Sequence, residues 1–196
     1  MNIVLTEEQL RVVLSEMVTK RKDPFSMEGS QHMIYDSKKN PNIVFKIGHP
    51  GFVDSWLSIF KKRPQYFPEI YRVGIVKDKH EYKYVEMEKL DTKRVKEEWE
   101  KITLLLIDAG LIDEDNIFDN NLSDVFRNCI LDEEYDNDVI QKIKNLNRGQ
   151  YQLFIKWSHF LHRLNSFVEP IKGSMLDIHD GNYGYDKQGN IKCFDI

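Results

Sequence analysis

The densest run of side chains able to do chemistry is Asp177-Ile178-His179-Asp180-Gly181-Asn182, and a further carboxylate, Asp195, follows beyond a turn-rich stretch. Two carboxylates and an amide separated by a hairpin can converge on one cation. Magnesium accepts a few such oxygens and keeps its other positions for water and phosphate. A carboxylate that binds no metal can instead orient a hydroxyl nucleophile. The same residue types also build ordinary loops, because Asp, Asn and Gly satisfy turns. A second chemistry, that of a metal-dependent phosphohydrolase, would draw on His179 and Asp180. It needs further histidines and an aspartate brought together on helices. His159 and His162 supply only a weak cluster; the simpler reading leaves His159 facing solvent and His162 packed at a helix end. Lys46 is the single charge in the apolar run Ile43-Val44-Phe45-Lys46-Ile47. Such a lysine either snorkels at a sheet edge or presents its ammonium to a ligand.

These groups must be positioned by the elements around them. Ile43–Ile47 is β-branched and aromatic, which predicts a strand. It pairs with Met33–Tyr35 across the turn-forming residues 36–42, giving a hairpin. Residues 52–62 predict a short helix with Phe52, Trp56, Ile59 and Phe60 apolar. Ile70–Val76 and Tyr82–Met87 predict two more strands. Thr6 and Gln9 resemble a capping box ahead of an amphipathic helix over 7–19. After Leu90 the pattern becomes helical, with helices expected over 92–109 (ending at Gly110), about 120–130, about 136–146 and about 150–166. In the last, Leu153, Trp157, Phe160, Leu161 and Leu164 share a face, and Pro170 and Gly173 are expected to break it. Ile191–Phe194 predicts a short final strand.

The organisation is therefore α+β. A β-rich part spans 1–90 with one inserted helix. A helical part spans 91–196, carrying the loop at 175–184 and a hairpin at 185–196. A cleft between two such parts is a common place for a ligand.

Composition narrows the function classes. The 196 residues are 41% hydrophobic, enough for a packed core. A net charge of −4 offers no general attraction to nucleic acid or to an anionic membrane. The cluster Lys61-Lys62-Arg63 reads as a solvated face. Two cysteines, Cys129 and Cys193, predict neither a disulfide framework nor a thiolate metal site. The N-terminal apolar run meets Glu7 and Glu8 too soon for a signal peptide, and no stretch is apolar for the roughly 18 residues of a membrane helix. The expectation is a soluble, cytoplasmic protein.

Asp177-Ile178-His179-Asp180-Gly181-Asn182 resembles the Asp-Leu-His-x-Gly-Asn loop of aminoglycoside-phosphotransferase-like and other atypical kinases, including compact ones of bacteria and phages. The protein-kinase loop His-Arg-Asp-x-x-x-x-Asn has the same Asp-to-Asn spacing. Cys193-Phe194-Asp195 matches the family's apolar-apolar-Asp, Ile43–Ile47 its Val-Ala-Ile-Lys strand, and Tyr84–Leu90 the strand that leads into its hinge. The resemblance covers residues 29–196 in the family's order.

It implies a two-lobed kinase-like fold with a small β-rich N-lobe and a reduced helical C-lobe. It implies ATP and Mg²⁺ as cofactors and a hydroxyl on a protein or small molecule as acceptor. Lys46 would contact the α and β phosphates. Asp177 would be the catalytic base, and Asn182 and Asp195 would hold Mg²⁺. Backbone near Glu86 and Glu88 would meet the adenine, and Gly29 and Ser30 would lie in the phosphate-covering loop. His179 would brace the catalytic loop. Asp54 would pair with Lys46, with Glu69 in reserve.

Four departures stand beside this. The phosphate-covering loop has one glycine where the family has three. Ile196 replaces the glycine after the metal-binding Asp, and Met175-Leu176 precede Asp177 in place of His-Arg or His-Gly. The sequence ends where a kinase continues into its activation segment. These favour, as the alternative, a catalytically silent kinase-like module that binds a partner protein. Transfer of AMP in place of phosphate is a weaker third reading.

Overall fold

A computed structural model describes residues 4–5, 32–77, 81–112, 125–126, 141, 144–145, 147–172 and 178–195. The architecture is α+β. The chain divides into two compact units, Met1–Leu90 with Asp186–Lys192, and Asp91–Tyr185 with Cys193–Ile196.

The first unit is built on a five-stranded sheet. Its strands are β1 (Val4–Leu5), β2 (His32–Asp36), β3 (Ile43–Gly48), β4 (Ile70–Lys77) and β5 (Glu81–Glu88), in the order β1-β4-β5-β3-β2. All neighbours are antiparallel except β1 and β4. The dipeptide strand β1 carries no pattern long enough to be read from sequence. Strand β3 is buried along nearly its whole length, because it sits between β2 and β5; its unbroken apolar run reflects that place.

Helix α1 (Pro50–Lys62) follows β3 directly. Pro50 starts it without loss, since the first turn has no partner for its N–H. Val53, Trp56, Leu57, Ile59 and Phe60 are buried, and Phe60 stacks on Phe67 with ring centroids 3.8 Å apart. Lys61, Lys62 and Arg63 are exposed, as a solvated basic cluster should be.

The second unit begins with α2 (Thr92–Asp108), capped by the Asp91 carboxylate, which accepts the Arg94 N–H at 3.2 Å. Its inward face is Val95, Glu98, Trp99, Ile102, Leu105 and Leu106. It ends at Gly110, whose φ of 70° suits glycine, and the Leu111 N–H returns to the Leu106 carbonyl at 2.9 Å. Helix α3 (Arg148–Lys172) starts under an Asn147 side chain that accepts the Gly149 and Gln150 N–H groups. Its buried stripe is Phe154, Trp157, Leu161, Leu164 and Val168. Leu153 and Phe160 are only half-buried, so the packed face is turned toward Phe154 relative to the expected one.

Pro170 does not stop α3, which runs on to Lys172. A proline deletes one N–H to the carbonyl four residues back, and here only two helical residues lie beyond it. Trp99 and Trp157 meet edge-to-face at 5.4 Å, and both rings contact Tyr183. Tyr183 belongs to β6 (Tyr183–Tyr185); β7 (Ile191–Cys193) follows the turn at 186–190.

The expected helix over 7–19 lies outside the described residues. So do those near 120–130 and 136–146, apart from residues 125–126, 141 and 144–145, which are helical. No described helix is long and apolar enough to cross a membrane.

Candidate functional site

Lys46 lies in the middle of β3, opposite Ile34 on β2 and Val85 on β5. It is fully buried. Its Nζ sits 4.4 Å from the Trp56 ring and 5.6 Å from the Phe52 ring. The aromatic face of α1 thus stabilises the ammonium through ring quadrupoles. The snorkelling alternative is excluded, since no part of the side chain reaches water.

Asp54, the expected partner of Lys46, instead places its carboxylate on Lys83 Nζ. The reason is helical geometry. Val53, Trp56, Leu57 and Phe60 face inward, so Asp54 falls on the outer flank with its side chain 54% exposed. The reserve, Glu69, is exposed, and its carbonyl accepts the Glu88 N–H at 2.9 Å.

The Glu86 carboxylate is held by Arg72, at 2.8 Å from Nε and 2.6 Å from Nη2. That charge-assisted bond leads the causes that raise the Arg72 pKa. Backbone donors at the end of β5 are engaged in turn: Glu88 N–H on Glu69, Lys89 N–H on Asn42 at 2.8 Å, and Asp91 N–H on Tyr185 at 2.9 Å.

In the second unit, a short 3-10 turn over Asp180–Asn182 carries the loop. His179 Nδ1 accepts the Gly181 N–H at 3.1 Å, bracing it from within. A Cβ at 181 would stand 2.8 Å from the His179 ring, so any larger residue there forces the imidazole to shift. Asn182 is buried. Its carbonyl accepts the Phe194 N–H at 3.0 Å, so the segment bearing Asp195 runs beside it. Cys193 is buried and points its Sγ at the Asp195 carbonyl, 2.9 Å away.

An amide oxygen and a carboxylate from adjacent segments are the hard donors that Mg²⁺ selects. Among the described residues no three His, Cys, Asp or Glu side chains gather around one point; the expected pair contributes one of those types, Asp195, plus the Asn182 amide. His159 and His162 are both exposed, so His162 is not packed at the helix end. Asp177, Gly29 and Ser30 lie outside the described residues.

Two built features escaped the sequence reading. The first is a buried network centred on Glu98. Its carboxylate accepts from Trp157 Nε1 at 2.9 Å, from Arg94 Nε at 3.1 Å and from the Tyr185 hydroxyl. Lys156 Nζ donates to the Tyr185 oxygen at 2.6 Å, and the Arg94 guanidinium lies 3.9 Å over the Tyr185 ring. Burial alone would raise the Glu98 pKa; the Tyr185 and Trp157 bonds, the Lys156 charge and the Arg94 bond outweigh it and hold the carboxyl low. Burial and the bond to Glu98 push the Tyr185 phenol up, and burial pulls Lys156 down. Tyr185 stands three residues after Asn182, so this network anchors the strand that leaves the candidate loop. The available signal was an acid within the apolar stripe of α2, between Val95 and Trp99.

The second is the role of the Asp186 side chain inside the turn that the sequence had placed at 186–190. Asp186 accepts the Gln188 and Asn190 N–H groups at 3.0 and 2.7 Å, and Asn190 Nδ2 at 2.9 Å. Burial would raise the Asp186 pKa, but these bonds and the Lys192 charge bring it below the ordinary value.

No protein-family model matches this chain, and no curated protein matches it.

Proposed function

We propose that the chain is a kinase-like phosphotransferase that uses ATP and Mg²⁺ to phosphorylate a hydroxyl on a protein or small molecule. The observation that carries this reading is the Phe194-to-Asn182 backbone bond, which keeps the two segments bearing the expected metal ligands side by side. The buried, ring-braced Lys46 in a central strand, followed at once by a helix, adds to it.

In this reading Lys46, whose Nζ lies buried against Trp56, turns out from that ring when nucleotide binds and neutralises the α and β phosphates. Asn182 and Asp195 hold the cation, which when bound offsets charge on the phosphate oxygens. Asp177 orients the acceptor hydroxyl and takes its proton as the oxygen bonds to the γ-phosphorus and ADP departs. Positioning and electrostatics supply the rate, because phosphoryl transfer asks little covalent chemistry of the protein. A cytoplasmic setting belongs to the same reading.

The test is mass spectrometry of a cell extract incubated with the protein, ATP and Mg²⁺, alongside Asp177→Ala and Lys46→Ala. The expected result is an acceptor carrying added phosphate rather than AMP, lost in Asp177→Ala, with weaker nucleotide binding in Lys46→Ala. Turnover equal to wild type in both variants overturns the proposal.

A silent binding module is the second reading. It is favoured by the engaged donors at Glu88, Lys89 and Asp91 and by the commitment of Asp54 to Lys83. A thermal shift separates the two readings. ATP and Mg²⁺ at about 100 times the dissociation constant add about 2.7 kcal/mol of stability to a nucleotide binder. A shift without product identifies a silent nucleotide-binding module, and no shift identifies a module that binds no nucleotide.

A further inference from the structure

A pocket of about 650 Å³ opens within the first unit, where the end of α1 and the turn after it face the start of β4, the end of β5 and the turn at 186–190. That is an ordinary size for a small-molecule site. Pro64, Pro68, Ile70 and Tyr71 give it apolar walls, with Tyr71 45% exposed. Three carboxylates and three ammoniums also line it. One pair is committed within the protein. Lys192 donates to the Pro64 and Gln65 carbonyls at 3.4 and 3.0 Å, and lies 3.7 Å from Asp186, whose oxygens already hold the turn.

The other four charges are unmatched. Glu88 is only 8% exposed. Its Oε2 meets the Glu69 N–H at 3.5 Å, the far limit of a hydrogen bond, and among the described residues nothing donates to its Oε1. A carboxylate withdrawn from water opposes folding unless donors meet it. Among the described residues, Glu88 and Glu69 form no ion pair, and neither do Lys61 and Lys187, which are exposed. The Tyr71 phenol feels the resulting field. Burial raises its pKa first, and the Glu69, Glu88 and Glu86 charges raise it further.

We infer that this pocket binds a basic amino acid, either as the free molecule or as the carboxyl-terminal residue of a peptide. The guanidinium or ammonium takes the Glu88 carboxylate in a charge-assisted bond, with Glu69 adding negative charge. The apolar stem lies along Pro68, Ile70 and Tyr71, whose ring also favours a cation. The carboxylate meets Lys61 and Lys187. Burial sets this polarity: the acid is withdrawn and the two lysines are exposed, so the cationic end enters first. A purely anionic ligand would leave Glu88 unmatched, and a simple amine would leave the lysines so. The inference rests on side chains of the first unit and does not depend on phosphoryl transfer.

The test is isothermal titration calorimetry of the full chain with arginine, lysine and the dipeptide Ala-Arg. Citrulline and Ala-citrulline serve as controls that keep the shape of arginine and lose its charge. Arginine compounds are expected to bind at least about tenfold more tightly than their citrulline counterparts. Glu88→Gln keeps the volume and an acceptor for the Glu69 N–H, and should abolish that preference; circular dichroism checks its fold. Lys187→Ser alters an exposed turn position and should weaken arginine about threefold or more, while leaving the weaker binding of arginine amide unchanged. Tighter binding of Ala-Arg than of arginine assigns the site to a peptide terminus, and the reverse assigns it to the free amino acid. Absence of binding by arginine, lysine and Ala-Arg at millimolar concentration overturns the inference. So does citrulline binding as tightly as arginine, a folded Glu88→Gln that keeps the preference, or arginine amide binding as tightly as arginine.

Discussion

Each unit ties a helix to a strand through charged side chains, but at different depths. In the first, Asp54 on α1 meets Lys83 on β5 near the surface, with side chains 54% and 15% exposed. In the second, Glu98 on α2 meets Tyr185 on β6 in the interior, with Glu98 only 8% exposed and further donors from Trp157 and Arg94. Water competes for the first pair and is excluded from the second. A surface pair recovers little, because solvation already satisfied both ions. A buried carboxylate must be fully hydrogen-bonded or it opposes folding. The outer tie is therefore replaceable, whereas the inner one commits the second unit to a single arrangement of α2, α3 and the strand beside Asn182.

The largest effect that sharpens this contrast is Glu98→Ala. It strips the acceptor from two buried donors, Trp157 Nε1 and the Tyr185 hydroxyl, and should destabilise the chain by about 2–3 kcal/mol in urea unfolding. A cost no greater than that of an exposed substitution would break the comparison.

The second effect is pH dependence. The Glu98 pKa is depressed in the folded state, so its contribution is present above the unfolded value near 4.5 and is lost as pH falls through the lower folded value. Tyr185 has the opposite sign. Its raised pKa favours the protonated phenol, so that contribution is present below the ordinary 10.0 and disappears as pH rises beyond it. Urea midpoints measured across both limbs should fall at each end. In Glu98→Gln the acid limb should become shallower, keeping the part that Asp186 contributes; an unchanged acid limb would assign it to other carboxylates.

The smallest effect is Asp54→Asn, expected to cost between about 0 and 1 kcal/mol and to fade in high salt. A loss comparable with Glu98→Ala would show that the outer tie is not the exposed pair it is taken for.

Much of the local structure was legible. The run Ile43–Ile47 marked β3, Tyr82–Met87 marked β5, and the helical period after Leu90 marked α2 down to its glycine stop at Gly110. These follow from short-range rules, namely side-chain alternation, branching at Cβ and backbone termini seeking partners. The neighbour of Asp54 was not legible, because a single acid in a helix can lie on either flank and only the buried set of Val53, Trp56 and Phe60 settles the rotation. Nor was the run of α3 past Pro170, since a proline's effect depends on how much helix remains beyond it. Of the candidate site, the tie between the Asn182 carbonyl and the Phe194 N–H was not legible, because no spacing rule states which backbone groups meet across twelve residues.

By itself the sequence determined where charged side chains stand along the chain and the strand that carries Lys46. These depend on residue identity and near neighbours alone. Only the tertiary structure decided that Lys46 lies dry against Trp56, that Glu98 is a buried hub, and that Leu104 is left to water. Burial is a property of three-dimensional neighbours, and the energy of a charge or a leucine changes several-fold with the water around it.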